Sequence, residues 1–124
     1  MVARRKEILD KLVEGASTPT HVVQADLSDV AHATDWIPGA EAANGPIDVL
    51  INNAGIQIVA SMLTTTWSDA ERLLALDLRT PLLLTKTVLP GMIARKTGCI
   101  VDVASMAAIA PTPGMYFYNA AKES

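Results

Sequence analysis

The stretch Ile47-Asp48-Val49-Leu50-Ile51-Asn52-Asn53 decides the fold. Gly45-Pro46 sets a turn before it, and Ala54-Gly55 follows it. An apolar run of strand length between turn residues reads as a strand buried on both faces, the signature of a parallel sheet. Downstream, Ser68-Asp69-Ala70-Glu71 has capping-box spacing and opens a long Leu-rich helix. Pro81 is expected to bend that helix, and Pro90-Gly91 to mark its end region. Residues 99–103 form a second apolar run, with Cys99 read as a buried small hydrophobe. A last helix begins near Tyr116. Upstream, Ile8, Leu9, Leu12 and Val13 line one face of a helix over residues 4–14, ended by Gly15. A short β-prone run covers residues 21–24. Ser28 is placed to cap a helix reaching about Asn44, within which Pro38-Gly39 implies a kink or early stop. Trp36 and Trp67 read as packing residues at helix ends. Strands alternating with helices imply an α/β chain with a parallel sheet.

Composition narrows the function. The 124 residues suffice for one small domain, and half are hydrophobic, so a core can form. The net charge of −3 and the scattered basic residues leave no footprint for nucleic acid or an anionic membrane. No apolar run approaches the roughly 20 residues of a membrane span. The charged start of the chain lacks the apolar block of a signal peptide. A single cysteine excludes a disulfide framework and suits a reducing compartment, so a cytoplasmic location is expected. His21 and His32 read as surface or structural residues, not as a metal pair.

Three segments carry chemistry. Tyr118 and Lys122 stand four residues apart on the last helix, hence on one face. A free phenol has a pKa of about 10, and a neighbouring ammonium lowers it toward the range useful for acid/base work. Ser105 follows a predicted parallel strand, where open α/β sheets bind ligands, and precedes Tyr118 by thirteen residues. Its hydroxyl can hydrogen-bond a substrate oxygen while Tyr118 donates a proton. Asn52-Asn53-Ala54-Gly55 closes the deciding strand with small residues that admit a flat ligand and amides that can bond across the sheet.

Asn52-Asn53-Ala54-Gly55, Ser105 and Tyr118-Asn119-Ala120-Ala121-Lys122 together resemble the short-chain dehydrogenase/reductase family in order and spacing. Ala25-Asp26-Leu27 and Leu89-Pro90-Gly91-Met92 add to the likeness, which runs through essentially the whole chain. The resemblance implies a partial Rossmann-type, doubly wound parallel sheet, with residues 1–124 as the central part of one domain truncated at both ends. It implies hydride transfer between NAD(P)(H) and a carbonyl or secondary alcohol. Tyr118 would exchange the proton, Lys122 would acidify Tyr118 and hold the nicotinamide ribose, and Ser105 would position the carbonyl. Asp26 would bind the adenine amine with the Leu27 backbone beside it, and Asn53, Ala54 and Gly55 would line the cofactor.

Some positions depart from the family. Asp77 occupies the place of a helix asparagine in the proton relay. A carboxylate accepts but, when ionised, does not donate, and it opposes a phenolate. None of the seven glycines forms a phosphate-binding turn. The likeness has the chain begin at the close of the family's second strand, so two strands would be absent between residues 21–24 and 47–53. The exposed edges would leave the isolated chain unstable or prone to aggregate. Val2-Ala3-Arg4-Arg5 resembles the second-strand exit, where arginine suits a 2′-phosphate, so NADP is expected, with NAD possible. Asn53-Ala54-Gly55-Ile56-Gln57 resembles 3-hydroxybutyrate dehydrogenases, in which the glutamine touches the substrate. Their histidine and lysine are replaced here by Ala107 and Met115, and the mostly apolar loop 106–115 favours an uncharged carbonyl compound. The family associates through helices represented here by residues 68–92 and 116–124, so a homodimer or homotetramer is expected. The competing reading is an inactive fragment that serves at most as an interaction module.

Overall fold

A computed structural model describes residues 1–110 and 112–123. It places β1 at Val2–Ala3, α1 at Lys6–Val13, β2 at Val23–Gln24, α2 at Ile37–Asn44 and β3 at Val49–Asn52. After β3 come α3 (Trp67–Leu74), a π-helical turn (Ala75–Arg79), α4 (Thr80–Arg95), β4 (Cys99–Asp102), a 3₁₀ turn (Met106–Ala108) and α5 (Tyr116–Glu123). The chain is α/β, and both strand pairs are parallel.

The sheet is in two pieces, β1–β2 and β3–β4. As expected, β2 and β3 are not neighbours. Of the two strands thought absent between them, one is present, because Val2–Ala3 forms a strand and pairs with β2. A gap of about 230 Å³ separates β1 from β3, with Val2, Val23, Trp36 and Val49 among its walls.

Leu50 on β3 packs with Ile37 of α2 and Leu84, Val88 and Met92 of α4, with Trp36, Ile47 and Ile100 at the edges. The other face of β3 is open, with Val49 55% and Ile51 60% exposed. That corrects the reading of a strand covered on both sides: α2 and α4 lie against one face, and no described element covers the other. Cys99 is likewise exposed, at the start of β4, and not a buried hydrophobe. On α1 only Leu9 is buried, and Leu12 is 67% exposed.

Helix boundaries also differ from expectation, for local reasons. Ser28 does not cap a helix; its N–H and hydroxyl both turn back to Asp26 Oδ1 (2.9 and 2.7 Å). Pro38 neither kinks nor stops α2 but sits in its first turn, where its missing N–H has no intrahelical role. The α3 cap is Thr66, not Ser68: Thr66 Oγ1 accepts from the Asp69 N–H (3.1 Å) and donates to Asp69 Oδ2 (2.7 Å). Pro90 lies inside α4, which continues to Arg95 and ends at Lys96 in the left-handed region (φ 55°). Its ring is tolerated because the Lys86 turn it crowds faces solvent.

The bend expected at Pro81 takes the form of the π turn. Proline has no N–H to offer the carbonyl four residues back and crowds it. The Thr80 N–H bonds instead to the Ala75 carbonyl, five residues back. Such a wide turn re-aims side chains and recurs at functional sites. Here it carries Asp77 inward.

Candidate active site

Asp77 is the most buried charged group described, its side chain fully covered. Its Oδ1 accepts the Ile56 N–H at 2.8 Å. Its Oδ2 has no hydrogen-bond partner among the described residues and lies 3.9 Å from Lys122 Nζ. Desolvation raises its pKa above the ordinary value, against the opposing pull of the Ile56 N–H and Lys122. Gly55 permits this approach, since a Cβ there would stand 3.1 Å from Asp77 Oδ2.

Helix α5 presents Tyr118 and Lys122 to the same place. Lys122 Nζ lies 5.8 Å from the Tyr118 ring centroid and donates to the Val103 carbonyl at 3.2 Å. The pair shares a cleft of about 260 Å³ with Asn53, Gly55, Gln57 and Asp77. Thus residues expected to act together, drawn from the end of β3, the π turn and α5, converge on one opening, which Val103 and Ala104 close on the β4 side. Gln57 Nε2 also contacts Met115 Sδ at 3.3 Å, joining two positions picked out separately in the sequence.

Ser105 stands three residues past β4 and adjoins this cleft without being one of its lining residues. Its Oγ caps the 3₁₀ turn by accepting the Ala107 N–H at 3.2 Å. That leaves its own proton available to donate.

A second cleft, of about 180 Å³, holds Arg4, Arg5, Asp26 and Leu27. Ala54, Gly55 and Ile56 also line it. Gly55 and Ile56 are common to both clefts, which therefore adjoin, a trough in two parts with the arginines in one and Tyr118 in the other. Asp26 is held below the ordinary carboxylate range, chiefly by the Ser28 hydroxyl and N–H, with Arg4 assisting. Leu27 is fixed through its carbonyl, which accepts the Thr80 hydroxyl at 2.7 Å.

Sequence reasoning missed Thr80 and the Ile56 N–H. Thr80 had a signal: it continues the buried spacing of Leu73, Asp77 and Leu84 along the helix, where a hydroxyl needs a partner. The bond expected across the sheet is made by Asn52, whose Nδ2 donates to Asp102 Oδ1 on β4 (2.8 Å) and also to Thr85 Oγ1 on α4 (3.3 Å). His32, read as a surface or structural residue, lies on the surface and contacts Asp29 Oδ2 at 2.9 Å, which raises its pKa. No helix among the described residues is long and apolar enough to cross a membrane.

Comparison with known proteins places this geometry in context. The family model for short chain dehydrogenases matches residues 1–124. The chain is 34% identical to a fatty acyl-CoA reductase of Mycobacterium tuberculosis, over 98% of the chain and 43% of that protein. It is 39% identical to an inactive 2-(S)-hydroxypropyl-CoM dehydrogenase of Xanthobacter autotrophicus, over 81% of the chain and 44% of that protein. A metagenomic short-chain oxidoreductase solved in complex with NADP superposes with a TM-score of 0.90 at 31% identity, over 98% of this chain and 57% of that one. The chain therefore spans less than half the length of these two curated relatives. With its parallel α/β architecture, its shared cleft of Tyr118 and Lys122, and a match along all 124 residues, the chain belongs to the short-chain dehydrogenase family, a family of oxidoreductases.

Proposed function

We propose that the protein carrying this chain transfers a hydride between NADP(H) and an uncharged carbonyl compound or its secondary alcohol. The observation that carries the reading is the trough from Arg4 and Arg5 to Tyr118 and Lys122. Its extended shape, basic at one end and floored by Gly55, fits a dinucleotide, which would supply the hydride acceptor or donor. Arg4 and Arg5 would pair with a 2′-phosphate, and NAD is the alternative if they do not. Asp26 and the Leu27 backbone would hold the adenine, and Asn53, Ala54 and Gly55 the middle of the molecule.

Tyr118 Oη gives the proton to the substrate oxygen, or takes it in the reverse direction. Lys122 Nζ stands beside that phenol, 5.8 Å from its ring centroid, and would hold the ribose. Ser105 Oγ donates to the carbonyl oxygen, and Gln57 contacts the rest of the substrate. Ala107 and Met115 stand where the 3-hydroxybutyrate dehydrogenases carry a histidine and a lysine, so an acidic substrate would lack those partners, which favours an uncharged one.

Residues 1–124 make up the central part of a single domain, whose further strand would fill the gap between β1 and β3. The exposed Leu82, Leu89 and Ile93 on α4 suit pairing with a second copy, giving a homodimer or homotetramer. A free, exposed Cys99 is compatible with a cytoplasmic setting.

The test is turnover of NADPH and NADH with a panel of aldehydes and ketones. Tyr118→Phe should lower kcat by about 10²–10⁴-fold with cofactor affinity kept. A second reading, binding without turnover, is favoured by the relative that is named inactive. It would stand if the unmutated protein binds NADPH yet reduces no carbonyl compound.

A further inference from the structure

We propose that Asp77 is a positioning residue that sets how strongly Lys122 acts on Tyr118, its ionised carboxylate drawing the ammonium toward itself and holding the phenol less acidic. The proposal rests on the acid/base reading of Tyr118 and adds to it the control of that group.

The geometry supports it from three sides. Lys122 Nζ is shared among the Val103 carbonyl at 3.2 Å, Asp77 Oδ2 at 3.9 Å and the Tyr118 ring at 5.8 Å. Asp77 cannot swing away, since Oδ1 is held by the Ile56 N–H and Gly55 lies against Oδ2. Oδ2 is buried with no hydrogen-bond partner among the described residues, and Lys122 is the cation those residues place beside it. With the Asp77 side chain fully covered, a carboxylate this close opposes the field that the ammonium exerts on a phenol. An amide at the same place would still accept the Ile56 N–H through its oxygen and carry no charge.

The titratable groups around Asp77 are Lys122 and Tyr118 from α5 and Asp102 from the end of β4, which lines a cavity shared with Asp77 and Lys122. Asp102 Oδ1 is engaged by Asn52. The 53–57 segment contributes no titratable side chain. Burial raises the Asp77 pKa, so its charge state is easier to change than that of a surface aspartate.

The experiment follows Tyr118 ionisation by ultraviolet difference absorbance in the natural protein without cofactor, with Y118F as the blank. Asp77→Asn should lower the apparent Tyr118 pKa by about one unit. An unchanged value overturns the proposal, because a merely structural aspartate would leave it where it was. Should D77N fail to fold, the unmutated protein decides. Carboxyl carbon-13 resonances report Asp77, and the Tyr118 ring signals must respond as Asp77 titrates; a silent ring overturns the proposal. If Tyr118 titrates like a free phenol in the unmutated protein, the acid/base reading itself falls. If its pKa is lowered but indifferent to Asp77, only the role of Asp77 falls.

Discussion

Arg4 and Arg5 stand at one end of the trough, and the choice between NADP and NAD is argued from them. Charge-assisted hydrogen bonds to a phosphate are each worth about 1.5–3 kcal/mol. Arg4→Ala with Arg5→Ala should therefore weaken NADPH binding at least about tenfold while leaving NADH nearly untouched, as read by fluorescence titration of the natural protein. Asp77 gives a second residue-scale expectation. A carboxyl raised in the fold binds protons more readily folded than unfolded. Its contribution to stability is full below the ordinary value of 3.8 and is lost as pH rises through the raised value. Asp77→Asn should consequently gain in Tm relative to the unmutated protein between about pH 4 and about pH 7, measured by thermal melts at both. Asp26, lowered in the fold, works in the opposite sense, but it is common to both proteins and cancels in the difference. The sequence revealed Tyr118 and Lys122 because a four-residue spacing fixes a helix face whatever lies around it. It did not reveal the Asp77–Ile56 bond, since a contact across 21 residues depends on how a turn and a loop meet.

Helix starts show the same division at the scale of elements. Thr66-x-x-Asp69 and Ser68-x-x-Glu71 both match a capping box, two residues apart. What selects Thr66 is packing: with that start, Ala70 and Leu73 are buried and Trp67 meets Phe117 edge-on, ring centroids 6.3 Å apart. Thr66→Ala should cost about 1 kcal/mol in denaturant melts, whereas Ser68→Ala should be near neutral. The existence of the long helix was legible from its leucines. Its wide turn was legible only in part, because Pro81 announces a disturbed hydrogen bond without saying whether the chain kinks or widens. Pro38 carried a similar ambiguity, and a proline in the first turn of a helix looks, in sequence, like one that interrupts a longer helix.

For the whole molecule, the alternation of strands and helices was enough to give parallel pairing and the separation of residues 21–24 from 47–53. It overstated how much of the sheet is covered, because apolar composition reports what a strand can bury and not what lies against it. The open face of Val49 and Ile51 and the unpaired edges of β1 and β3 leave residues 1–124, taken alone, with a divided core. In isolation the chain should melt without a cooperative transition or associate on heating; a sharp, concentration-independent unfolding curve for a monomer would contradict this. The π turn bears on the molecule as a unit because it joins the part of the helix that serves the cleft to the part that serves the core. Each helical residue advances the chain by about 100°. Deleting any one residue from 75–79 would spin the sixteen residues of α4 by that amount, taking Leu84, Val88 and Met92 off the sheet together and pulling Thr80 from Leu27. The number of residues in that segment is thus under tighter constraint than their identity, and natural variants should differ there by substitution and not by length.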